Sequence, residues 1–188
     1  MTSRRALKLA AAPTILVAMA CLPTLAHCQQ ADKPGTPTQA GATAIGKADT
    51  ARWTDTTVKA AGTPEQKAVL QRAKVATITG EVVDVSCYLQ LGKRGAAHVP
   101  CGSDCVRNGQ PAGILDADGK LTILMVEEHD PRRHGEIKVA EQLAALLAKT
   151  VTATGMLTEQ GGYRALYVQG SELAAMGASA PVPSGQAK

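Results

Sequence analysis

The hydrophobic pattern of the chain changes period several times. Residues 9–22 are an apolar run broken only by Pro13 and Thr14, and residues 29–50 are mainly Ala, Gly, Thr, Pro and Gln with few large apolar side chains. Helical spacing then begins. Thr63-Pro64-Glu65-Gln66 supplies an N-cap threonine and a proline at the first helical position, with Ala68, Val69, Leu70 and Ala73 spaced behind them. From Thr77 to Val85 the chain is rich in β-branched residues, with Ile78, Val83 and Val85 apolar among polar neighbours and Gly80 where a bulge or bend belongs. Two further strands, 112–115 and 121–126, flank the hairpin signal Asp116-Ala117-Asp118-Gly119. Residues 139–147 place Val139, Leu143, Leu146 and Leu147 on one side of a helix. Strands at 150–157, with an internal Gly155, and at 163–168 follow, joined through Gly161-Gly162.

Five strands with a helix between the third and fourth is the order of a small Greek-key barrel whose first strand must bend to pair at both ends. The pattern therefore predicts a mainly β fold: a five-stranded OB-like barrel, with a short helix in a cysteine-bearing insertion after strand 1 and a helix between strands 3 and 4. The inward set it predicts includes Val83, Val85, Ile114, Leu124, Val151 and Val168. Along the chain the expected organisation is an export signal at 1–28, a disordered linker at 29–50, a short helical lead-in at 51–74, the barrel at 75–170 and a flexible tail at 171–188.

The first segment changes the expected compartment. Arg4, Arg5 and Lys8 precede the apolar run, and Thr24-Leu25-Ala26 is a small-residue cleavage site, so the mature protein is expected to be periplasmic or secreted. Ser3-Arg4-Arg5 half-matches a twin-arginine signal. Leu25-Ala26-His27-Cys28 half-matches a lipoprotein box, which would put a lipid anchor on Cys28, the one membrane contact the sequence suggests. The formal net charge of +4 lies partly in that segment, and aromatic residues make up 2% of the 188. With neither a basic run nor stacking rings, nucleic acid is not an expected partner.

Chemistry concentrates in one stretch. Cys87, His98, Cys101 and Cys105 fall within nineteen residues. Pro100 suits a helix start and Asn108-Gly109 a helix end, so 100–108 is predicted helical, with Cys101 and Cys105 on one face and His98 at its entrance. Cys87, at the end of the first strand, would be brought in by the loop 91–95. A Cys3His set is complete for Zn²⁺ and soft enough for Cu⁺, and the helix N-terminus with Lys93 and Arg94 would favour thiolates. Exported proteins commonly oxidise their cysteines, so a structural disulfide from Cys87 to Cys101 or Cys105 with one spare thiol stays open, as do buried unbridged thiols.

The segment Gly80-Glu81-Val82-Val83-Asp84, Cys87-Tyr88, His98-x-x-Cys101-x-x-x-Cys105 and the later Thr154-Gly155 resemble a group of small exported bacterial proteins built on OB-like barrels. That resemblance implies fold and compartment and carries no settled activity. Elsewhere the chemistry is thin. Tyr88, Met125 and Met156 read as core, Glu81 and Asp84 as solvent-facing acids on a strand, and the stretch 129–134 as a solvated loop. No nucleophile triad, phosphate loop or haem attachment site can be assembled. The functional expectation is a non-catalytic binding module holding Zn or Cu through Cys87, His98, Cys101 and Cys105, with the metal itself or a periplasmic protein as partner. The alternatives are a thiol-redox protein, or a barrel whose cysteines form a structural disulfide.

Overall fold

The computed structural model describes residues 41–128 and 138–178. The expected export signal, Cys28, the 129–134 loop, most of the linker and the end of the tail lie outside these residues. Among the described residues no helix is long and apolar enough to cross a membrane.

The lead-in forms helices α1 (Asp55–Ala60) and α2 (Pro64–Arg72). Thr63 caps α2 as anticipated: its hydroxyl accepts from the Gln66 N–H and the Gln66 side chain accepts from the Thr63 N–H, a reciprocal capping box. The barrel then runs through β2 (Lys74–Asp84), β3 (Ala112–Leu115), β4 (Leu121–Glu127), β5 (Thr150–Gln160) and β6 (Tyr163–Gln169). Strand β2 pairs antiparallel with β5 from Lys74 to Glu81 and with β3 from Glu81 to Asp84, so it passes from one neighbour to the other just after Gly80. A Cβ on Gly80 would overlap the carbonyl oxygen of Leu115, and one on Gly155 that of Tyr167. These two positions let neighbouring backbones approach where the barrel curves. The β5–β6 pairing closes the ring, and β4 and β6 run parallel. The protein is thus mainly β with a closed five-stranded, OB-like barrel.

Ile78, Val82, Ile114, Leu124, Val151, Leu166 and Val168 meet in one core cluster. Val83 and Val85 are buried but lie outside it. The inward phase of β2 is Ile78, Gly80 and Val82, and side chains alternate faces along a strand, so Val83 falls on the other face and Val85 already belongs to the next helix. Between the third and fourth barrel strands stands α5 (Ala140–Ala144), shorter than the predicted helix, with Val139, Leu146 and Leu147 buried at its ends.

Two segments expected outside the barrel contribute to it. Thr43–Ile45 forms β1, parallel to β5 at Val151–Ala153, with Ile45 1% exposed. One large apolar residue and three backbone pairings suffice to hold this strand, although the composition around it is that of a tether. After β6 comes α6 (Gly170–Ala178), with Leu173 fully buried, and Thr50 Oγ1 donates to Glu172 Oε1 at 2.6 Å to join the two ends of the domain.

Candidate metal centre

The insertion after β2 is built from its first residue. Asp84 ends the strand and caps α3 (Val85–Leu91), its Oδ1 accepting from the N–H groups of Ser86 at 3.0 Å and Cys87 at 3.4 Å. Cys87 therefore sits in the first turn of α3 and not on the strand as expected. Gly92 closes α3 in the left-handed conformation, φ +66°. The loop beyond is pinned to the barrel by Glu81, which accepts from the Gly95 N–H at 2.7 Å and lies 3.7 Å from the Arg94 guanidinium.

A short 3-10 turn, Ala96–His98, leads into α4 (Val99–Arg107), close to the predicted helix and with Pro100 in its first turn. Gly102, Ser103 and Val106 are the buried face of α4, and Ser103 donates to the Ala144 carbonyl at 3.1 Å, docking the insertion on α5. Cys101 and Cys105, one helical turn apart, lie beside that face. A Cβ on Gly102 would stand 3.1–3.2 Å from His98 Cδ2 and Nε2, so the glycine gives the imidazole room to lie against the helix.

The sulfurs of Cys87, Cys101 and Cys105 lie within 4.8 Å of one another, and so do single ligand atoms of Asp84, Cys87 and His98. The structure brings the expected residues together as two sets sharing Cys87, with Asp84 as an added member. Sequence reasoning had placed Asp84 in solvent, yet it is 0% exposed. The missed signal was its place directly before a helix start and three residues before Cys87, which is an N-cap position. Exposure grades across the cluster: Asp84 and His98 are buried, Cys87 and Cys105 half-buried, Cys101 exposed.

Asp84 Oδ2 and His98 Nε2 are both buried without a hydrogen-bond partner, and they face each other at 3.7 Å. That separation is too long for a hydrogen bond, which needs about 2.7–3.2 Å, and too short for a bridging water, which would hold them roughly 4.5 Å apart. Two ligands about 2.05 Å from one tetrahedral Zn²⁺ lie roughly 3.3 Å from each other, so a closure of a few tenths of an ångström makes them a ligand pair.

The Cys87 and Cys105 thiols are held protonated, contrary to expectation. The Cys87 pKa is raised, first by its hydrogen bond to Asp84, then by burial. That of Cys105 is pushed up to about 12, first by burial, then by Asp84. The cations expected to lower these values are not the charges that reach the sulfurs; Arg94 instead pairs with Glu81. The Asp84 carboxylate crowds against the Cys87 and Cys105 sulfurs, an electrostatic setting in which a bound cation is favoured. None of the three cysteines is bridged.

Other sequence candidates stand apart. Met125, expected in the core, is 40% exposed and lines a cleft of about 750 Å³ with Trp53, Leu70, Arg164 and Tyr167, residues that belong to neither ligand set. Comparison with known protein families, curated proteins and solved structures finds no match.

Proposed function

We propose that this protein is an exported, non-catalytic binding module whose OB-like barrel holds a Zn or Cu ion through ligands drawn from the cluster of Cys87, His98, Cys101 and Cys105, with Asp84 an added ligand. The observation that carries this reading is the buried pair Asp84 Oδ2 and His98 Nε2, each without a hydrogen-bond partner, 3.7 Å apart at ion-pair distance and grouped with the Cys87 sulfur. A buried polar atom without a partner costs about 1–3 kcal/mol, and two of them facing one point are stabilised together by one cation. Export rests on the first 28 residues: a basic start, an apolar run and a small-residue cleavage site. The partner is then the metal itself, or a periplasmic protein that gives or takes it. The raised Cys87 and Cys105 values disfavour either as a redox nucleophile, because the thiolate is the attacking form; a redox role would fall to the exposed Cys101.

The test is metal analysis with thiol counting on protein purified from the export compartment without chelator or reductant. Stoichiometric Zn or Cu, with Cys87, Cys101 and Cys105 all reacting as thiols after denaturation, is the expected result. Metal-free protein with two of those cysteines bonded would make the cluster a covalent staple and overturn the reading.

A further inference from the structure

The five candidate ligands do not form one mutually close group. They separate into Cys87, Cys101 and Cys105 on the solvent side and Asp84, Cys87 and His98 on the buried side, with the Cys87 sulfur common to both. We infer, resting on the metal-holding reading above, that these are two alternative seats of different softness: an outer all-sulfur seat for Cu⁺ and an inner mixed seat for Zn²⁺, filled one at a time because they draw on the same thiolate.

Ligand chemistry assigns the ions. Three thiolates suit Cu⁺, with the Asp84 carboxylate against the Cys87 and Cys105 sulfurs but outside the three-sulfur group, whereas carboxylate, imidazole and thiolate together suit the borderline Zn²⁺. Geometry allows each. Three sulfurs about 2.3 Å from a trigonal ion are roughly 4.0 Å apart, and the three here are within 4.8 Å. In the inner seat the Asp84 and His98 atoms are already at 3.7 Å, near the separation of ligands on one Zn²⁺. Position adds a functional difference: the exposed Cys101 gives the outer seat a face open to solvent, while the inner seat is covered. An ion in the outer seat can be approached by an incoming soft donor at Cys101, whereas two of the three inner ligands, Asp84 and His98, are buried.

The experiment uses the full exported chain and titrates Zn²⁺ and Cu⁺ separately against chromophoric chelators under anaerobic reducing conditions. Cys101→Ser should weaken Cu⁺ binding at least about 100-fold and leave Zn²⁺ affinity within about threefold; His98→Asn should do the reverse; Cys87→Ser should lose both. Adding Cu⁺ to Zn²⁺-loaded wild type should release zinc in equimolar amount. Circular dichroism of each metal-free variant establishes that it is folded, and if His98→Asn is not, Asp84→Asn, which keeps the capping oxygen, carries the inner-seat test. Loss of both metals in both Cys101→Ser and His98→Asn, or retention of zinc alongside Cu⁺, overturns the two-seat inference while leaving a metal module standing. A wild type that binds neither ion overturns the metal reading itself.

Discussion

Asp84 does two separable things, and Asp84→Asn, which spares one of them, should change the metal-free and zinc-loaded proteins in opposite directions. Its Oδ1 caps α3, while its Oδ2 is buried without a partner and faces His98. Asp84→Asn keeps an acceptor for the cap and puts an amide donor where the partnerless oxygen was, so the metal-free protein should be as stable as wild type or more so, by up to about 1 kcal/mol. Asp84→Ala loses the cap and should cost the metal-free protein about 1 kcal/mol. With zinc the order inverts. At a free concentration of about 100 Kd, zinc stabilises wild type by about 2.7 kcal/mol, and a 100-fold weaker site under the same conditions leaves only about 0.4 kcal/mol. For a domain of this size about 4 °C accompanies each kcal/mol, so the zinc-dependent rise in Tm should fall from about 11 °C to about 2 °C in Asp84→Asn. Thermal melts followed by circular dichroism, with buffered zinc and with chelator, read both quantities. An unchanged zinc shift in Asp84→Asn would refute Asp84 as a ligand, whatever the metal-free melts show.

Three other outcomes follow from the fold and the thiols. Gly155→Ala should destabilise the barrel by about 3 kcal/mol or more in guanidinium unfolding, because its Cβ would overlap the Tyr167 carbonyl at the β5–β6 closure; a loss under 1 kcal/mol would mean the strands can part there without harm. Ile45→Ala should cost about 2–4 kcal/mol as a buried core truncation, whereas a residue in a true tether would change stability by less than about 0.5 kcal/mol. In chelator-stripped protein, iodoacetamide should label the exposed Cys101 well before Cys105. Because the Cys105 pKa is pushed up to about 12, its thiolate fraction, and hence its labelling rate, should rise about tenfold per pH unit beyond pH 9; a Cys105 plateau below pH 9 would contradict the assigned environment.

Much of this molecule is written locally. The alternation in 77–85, the hairpin signal at Asp116 to Gly119, the Thr63 cap and the Pro100 helix start each depend on residues a few positions apart, and the structure places elements at all of them. Gly80 and Gly155 were likewise legible as points of curvature, since a glycine inside a strand pattern has few other uses. The proximity of Cys87, Cys101 and Cys105 was readable from spacing once a helix was assigned to 100–108. What spacing could not supply was the environment. Whether Asp84 faces water or is sealed beneath α3 and α4 depends on how the insertion docks, through Ser103 on Ala144 and Val106 in the core, contacts made with residues far along the chain. The same docking sets Asp84, and not the expected Lys93 or Arg94, against Cys87 and Cys105, and so reverses the expected shift in the pKa of these two thiols. Thr43–Ile45 became a strand for a related reason: its own composition is that of a linker, and only β5, more than a hundred residues later, provides the pairing that orders it. Patterns with a period of a few residues are carried by the sequence itself, while burial, charge environment and partner choice are sums over neighbours that only the closed barrel brings together.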